Sequence, residues 1–203
     1  MKFGIHNSSW LFGSDPDEIF EAVKRKAQRA EAHGFTWITA MWREKRATFH
    51  GQHFHVQDAI LEPKPLQKPH PPIMIGGSGE QLTLRAVARL GNACNIFGDP
   101  ETVRRKFEVL RRHCDTVGRN YDEIERTSLT GLLLARDAAQ LQAKRERLNA
   151  PEPFRGFAVT VPQAVDLAGR YRDVGVHLMI CSVYKNDAET LELLATEVMP
   201  RVA

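Results

Sequence analysis

Residues 73–97 read IMIGGSGEQLTLRAVARLGNACNIF, and this stretch decides the fold. An apolar run, Ile73 to Ile75, is short enough for a buried strand. It breaks into three glycines, Gly76, Gly77 and Gly79, around Ser78. Leu82, Leu84, Val87, Ala88 and Leu90 then recur at helical spacing, which predicts a helix over 80–90. A second apolar run, 93–97, follows Gly91. Strand, glycine turn, helix and strand make a βα unit, whose two strands lie parallel because the helix carries the chain back.

The same rhythm extends toward the C-terminus. Helices are predicted over 100–117, 138–148, 161–174 and 187–199, and strands over 127–135 and 176–183. Gly118 and Gly175 close two of the helices. Toward the N-terminus, 1–6 reads as a strand. Asp15-Pro16-Asp17-Glu18 opens a helix with a cap, a Pro at its first position and an acidic third residue. Residues 35–41 read as a second strand. Between these parts, 47–60 has Gly51 between two β-prone runs and predicts a hairpin. Residues 62–72 hold Pro63, Pro65, Pro69, Pro71 and Pro72, so they form an extended connector and no helix. The whole chain is read as one α/β domain, 1–203, with the hairpin and connector inserted at 43–72.

Composition narrows the function classes. In 203 residues, 42% are hydrophobic and 26% charged, with a net charge of +3. That is a globular balance, and so small an excess of positive charge makes no case for nucleic acid. No apolar run approaches the ~20 residues of a membrane helix, and the start of the chain lacks a secretory h-region. Three widely spaced cysteines give neither a disulfide frame nor a zinc ribbon, so a reducing, cytoplasmic setting is expected.

Four groups of residues invite a chemical reading. The glycine loop, Gly76, Gly77, Ser78 and Gly79, leaves backbone N–H groups unshielded at a helix N-terminus. It is either a phosphate cradle or a tight βα turn in which glycine supplies positive φ. It is not a Walker or a GxGxxG motif. His6, Asn7 and Trp10 sit at the end of the first strand, where His6 and Trp10 are candidates for a pocket wall. His6 reads equally as a group that satisfies backbone at a strand–loop boundary. His50, His53, His55 and His70 are close in sequence, but parity places His50 apart from His53 and His55, and a metal site is not predicted. Arg104, Arg105, Lys106, Arg111 and Arg112 interleave with acids and read as a solvated helix face. Cys94 and Cys181 lie in apolar strands and read as packing residues.

The stretches MKFGIHNSSWL, EAVKRKAQRAEAHGF and TFHGQHFHVQDAILEPKPLQKPHPPIMIGGSGEQLTLRAVARLGNACNIFGD resemble the luciferase-like monooxygenase superfamily. The subgroup they are most similar to is the coenzyme F420-dependent oxidoreductases. The resemblance implies a (β/α)8 barrel that binds coenzyme F420, or alternatively FMN. It implies that Gly76, Gly77, Ser78 and Gly79 touch the cofactor phosphate. The implied function is a flavin- or deazaflavin-dependent oxidoreductase or monooxygenase acting on a small organic substrate.

The chain departs from that pattern in one place. Residues 42–45 follow the second predicted strand as if two βα units were absent, a loss of at least ~60 residues at ~30 per unit. The predicted strands then lie near 3, 37, 74, 95, 131 and 180. About six parallel strands do not close an eight-stranded barrel, so an incomplete, barrel-derived α/β sheet is expected. Its open edges would be covered in a homo-oligomer. No catalytic acid or base is assigned. The alternative function is a catalytically impaired remnant that keeps only the phosphate loop.

Overall fold

The structure, a computed structural model, describes residues 2–6, 36–51 and 55–202. The helix predicted after Asp15 and the candidate Trp10 lie outside these residues.

The chain forms strand β1 (Lys2–His6), helix α1 (Thr36–Arg43), hairpin strands β2 (Ala47–His50) and β3 (His55–Ala59), and β4 (Met74–Gly76). Then come α2 (Thr83–Leu90), β5 (Ala93–Phe97), α3 (Pro100–Val117), a 3-10 turn (Tyr121–Glu123) and β6 (Glu125–Ala135). The remainder is α4 (Ala138–Arg147), β7 (Phe157–Thr160), α5 (Val161–Asp173), β8 (Leu178–Val183) and a helical end from α6 (Ala188–Leu193) through a π turn to α7 (Met199–Val202). The main sheet has six strands in the order β1-β8-β6-β5-β4, with β7 also paired to β6. The pairs β1–β8, β6–β8 and β6–β7 are parallel. Among the described residues no pairing joins the two ends of that path, so the sheet is open.

Six strands are present, but one differs from the predicted set. Residues 36–43 are helix, not the strand expected over 35–41. In TWITAMW, Ile38, Met41 and Trp42 fall at i, i+3 and i+4, a helical spacing that the strand expectation overlooked. A strand needs a neighbour for its backbone groups, whereas a helix satisfies them within itself. With no neighbouring βα unit, the helix is the self-sufficient choice, and Glu44 N–H extends it onto Ala40 O at 2.8 Å. The sixth strand is β7, which the sequence reading missed. The run is only four residues long and ends at Thr160, directly before the helix that opens with Val161-Pro162. It is a strand because Leu132–Ala135 offers it a parallel partner.

The described residues fall into two compact units. The first holds 2–6, 95–108 and 125–202. Its centre is β6, where Leu132, Leu133, Leu134 and Ala135 are all buried, as a strand covered on both faces requires. Helix α5 turns Ala164, Leu167, Ala168 and Tyr171 inward, at i, i+3, i+4 and i+7. The loop before β7 packs backbone on backbone against β6: a Cβ on Gly131 would strike Arg155 O, and one on Gly156 would strike Gly131 O. A buried ion pair fastens the C-terminal helices. Lys144 Nζ donates to Leu134 O at 2.6 Å and to Asp187 Oδ2 at 2.9 Å. Asp187 also caps α6 by accepting from Thr190 N–H at 2.9 Å. Burial raises the Asp187 pKa, but the bonds from Lys144 and Thr190 outweigh it and hold the carboxyl below its ordinary value.

The second unit holds 36–51, 55–94 and 109–124. Helix α2 buries Leu84, Ala86, Val87 and Ala88. Arg119 Nη1 donates to Val87 O and Ala88 O, each at 3.3 Å, adding a side-chain donor to carbonyls in the last turn of α2, where Val87 O also accepts from Gly91 N–H at 2.9 Å. The antiparallel β2–β3 hairpin is present as predicted. Residues 60–73 contain neither helix nor strand, and Lys64 Nζ anchors this connector by donating to Met41 O at 2.9 Å.

Candidate functional site

The glycine loop lies where the sequence placed it, between β4 and α2. Helix α2 begins at Thr83 and not at Glu80, because residues 80–82 are still in a turn. Two contacts shape the loop. Gly77 has φ +131, a region open to glycine, and its missing Cβ would stand 3.2 Å from Thr83 Cγ2. The missing Cβ of Gly79 would stand 2.9 Å from Thr83 Oγ1. Thr83 therefore packs under the loop in the room two glycines leave. Gly76 differs: a Cβ there would meet nothing within 4 Å.

The surroundings hold the loop in place. Ile73 N–H donates to Asn92 Oδ1 at 2.9 Å, and Asn92 N–H donates back to Ile73 O at 2.8 Å. These bonds fix the start of β4 against the start of β5. His113 Nε2–H, from α3, donates to Glu80 O at 2.7 Å just beyond the last loop glycine. Leu84 N–H donates to Gly79 O at 3.0 Å. The N-cap of α2 is Leu82, whose side chain makes no cap hydrogen bond. A helix N-terminus with glycine before it and no side-chain cap presents a positive dipole end to a bound anion. The sequence reading found the glycines but not Thr83, Asn92 or His113. Thr83 had a legible signal, since a Thr four residues past a glycine closes onto it once a helix begins. His113 is 33 residues from Glu80, and only the tertiary fold brings the two together.

The other candidates separate. His6 ends β1 opposite Ser182 of β8 in parallel register. Trp10 and His53 lie outside the described residues. His50 and His55 are direct cross-strand partners, not set apart by parity, because the hairpin register pairs them. His70 instead faces Trp42 at 5.9 Å between ring centroids. Of the basic helix, Arg104 pairs with Glu101 and Glu108, and Arg111 lies over the Tyr121 ring at 4.1 Å. These interactions are those of a solvated, internally paired face. All three cysteines are buried, and burial pushes the Cys181 thiol up to about 12, so it carries no thiolate at neutral pH.

A surface groove of about 460 Å³ lies between β7 and α5, lined by Phe157, Val159, Leu167, Asp166 and Arg170 among others. It shares no residue with the glycine loop. Among the described residues, no helix is long and apolar enough to cross a membrane.

A family model for luciferase-like monooxygenases matches residues 35–175. Several solved structures share the fold. A coenzyme F420-dependent tetrahydromethanopterin reductase from Methanopyrus kandleri is 14% identical with a TM-score of 0.66, over 82% of this chain and 61% of its own. The monooxygenase RslO1 from Streptomyces bottropensis is 18% identical with a TM-score of 0.68, over 93% and 66%. EDTA monooxygenase (EmoA) from Chelativorans sp. BNC1 is 16% identical with a TM-score of 0.67, over 88% and 59%. The chain thus spans less than two thirds of the length of each of these three. The match of 35–175 covers more than half of the 203 residues, with the glycine loop inside it, and the chain belongs to the luciferase-like monooxygenase family.

Proposed function

We propose that the loop Gly76, Gly77, Ser78 and Gly79 binds the phosphate of a flavin or deazaflavin, coenzyme F420 or alternatively FMN, in an oxidoreductase acting on a small organic substrate. One observation carries the reading: α2 starts from an apolar N-cap, Leu82, that makes no side-chain cap bond, and it is preceded by glycines, of which Gly76 faces open space. A phosphate there would be met by backbone N–H groups and the helix dipole. The family supports the cofactor class, and the neighbours named for F420 and for monooxygenation support the two alternatives. When bound, such a cofactor supplies the hydride or oxygen chemistry, and this chain's residues hold and orient it. His6 is a proposed wall of the pocket, as is Trp10.

The test is a fluorescence titration of FMN and of F420 into the chain and into Gly76→Asp. Saturable binding of either cofactor that weakens at least tenfold in the variant, with melting unchanged, supports the reading. Equal binding by both proteins overturns it. Absence of binding to both cofactors favours the impaired-remnant alternative, which the shortened length also favours.

A further inference from the structure

The hairpin of the second unit carries a feature that the cofactor reading does not use. Strands β2 and β3 pair Phe49 with Val56 and His50 with His55. Alternation along a strand sends these two pairs to opposite faces. Phe49 and Val56 are half-buried, and His50 and His55 are exposed. The two imidazoles stand 6.1 Å apart between ring centroids, tilted by 48°.

We propose that His50 and His55 form a two-histidine chelate for a borderline divalent transition-metal ion, of the Cu2+, Ni2+ or Zn2+ class, on the exposed face of the hairpin. The proposal is independent of the phosphate loop. Imidazole nitrogen suits these ions, and both rings are exposed and open to one. Two metal–nitrogen bonds of about 2.0–2.1 Å place the ligating atoms at most ~4 Å apart. Rings whose centroids are 6.1 Å apart bring their facing edges within that reach by side-chain rotation alone. Register supplies the preorganisation, because both ligands are held by a ladder and not by a loop. Among the described residues no group of three ligating side chains forms. The site is therefore open and of modest affinity, and it is selective through the Irving–Williams order, with Cu2+ bound most tightly. The bound ion would also tie two strands of a hairpin that is marginal alone.

The rival reading is that the rings merely pack across the strands, which also stabilises a hairpin. Cu2+ titrated into the full chain separates the two. Electron paramagnetic resonance reads the nitrogen ligands. The proposal expects one equivalent with a two-nitrogen signature in the wild type. It expects His50→Asn and His55→Asn each to weaken that equivalent at least tenfold and to erase the signature. The double variant His50→Phe with His55→Phe keeps a cross-strand ring pair while removing all four nitrogens. It should retain the far-ultraviolet circular dichroism of the wild type and lose the signature. An unchanged copper equivalent in the folded double variant, or no two-nitrogen signal in the wild type, overturns the proposal.

Discussion

Gly76 and Gly77 are neighbours, yet substitution separates them. Gly77 sits at φ +131 with Thr83 close beneath it, so an alanine there strains the backbone and crowds a methyl group. Gly77→Ala should cost about 1–3 kcal/mol of stability, the range for a residue held in a sparsely populated region. Thermal melting or urea unfolding reads the loss. Gly76→Ala meets open space and should shift stability by less than about 0.5 kcal/mol, as surface substitutions away from special features do. Cofactor affinity lost in Gly76→Ala therefore reports on the ligand, and loss in Gly77→Ala reports first on the loop. The glycines themselves were legible, because a glycine run after an apolar triplet marks a turn whatever it binds. Their unequal roles were not legible, since they depend on where Thr83 falls once α2 has started. The histidine pair shows the same limit. Counting parity through a turn fails when the register is set by the pairing itself, and His50 meets His55 directly.

At the scale of elements, β6 and its attachments carry the sharpest expectation. Gly131 lies in β6 against the carbonyl of Arg155, so a side chain there meets backbone, which cannot turn aside. Gly131→Ala should destabilise by at least about 2 kcal/mol, within the range for overpacking, and should loosen the β6–β7 pairing. Hydrogen exchange at Leu133 and Leu134, both in register with β7, would show where the loosening falls. Long, periodic elements such as α3 and α5 were plain in the sequence, because an eighteen- or thirteen-residue amphipathic run has one stable solution. Short apolar runs were not. TWITAMW and FAVT each fit strand or helix by composition, and the choice fell to whether a partner strand was available. Helix α1 has none among the described residues, while β7 has β6.

At the scale of the molecule, the two units have different vulnerabilities. The first depends on Lys144 and Asp187, which are 3% and 6% exposed at the side chain. The Asp187 carboxyl is held below its ordinary 3.8 in the folded chain. A depressed carboxylate lends stability that is complete above the unfolded value and lost as pH falls through the folded one. The first unit should therefore unfold in acid below about pH 4, a fall that Asp187→Asn removes. That variant should already be about 3 kcal/mol less stable at neutral pH, because the buried Lys144 loses its buried counter-charge and keeps only the Leu134 carbonyl and the more exposed Glu189. Circular dichroism against pH on both proteins checks the pair of expectations.

The candidate site was legible at its phosphate end and not at the end that would hold a ring. IMIGGSGE marks a glycine turn ahead of a helix, the proposed cradle, directly in sequence, whereas a ring wall is assembled from side chains on several strands. The chain spans less than two thirds of the length of these structural relatives. A phosphate cradle acting alone contributes a few charge-assisted hydrogen bonds, enough for a dissociation constant of about 0.1–1 mM, or roughly 4–5.5 kcal/mol. FMN should then bind in that range, inorganic phosphate should displace it, and riboflavin, which has the same ring and no phosphate, should not bind measurably. If riboflavin instead binds within a few-fold of FMN, the ring is being held by this chain's own side chains. In that case the wall is intact despite the shortened length, and His6 at the end of β1 becomes the first residue to substitute.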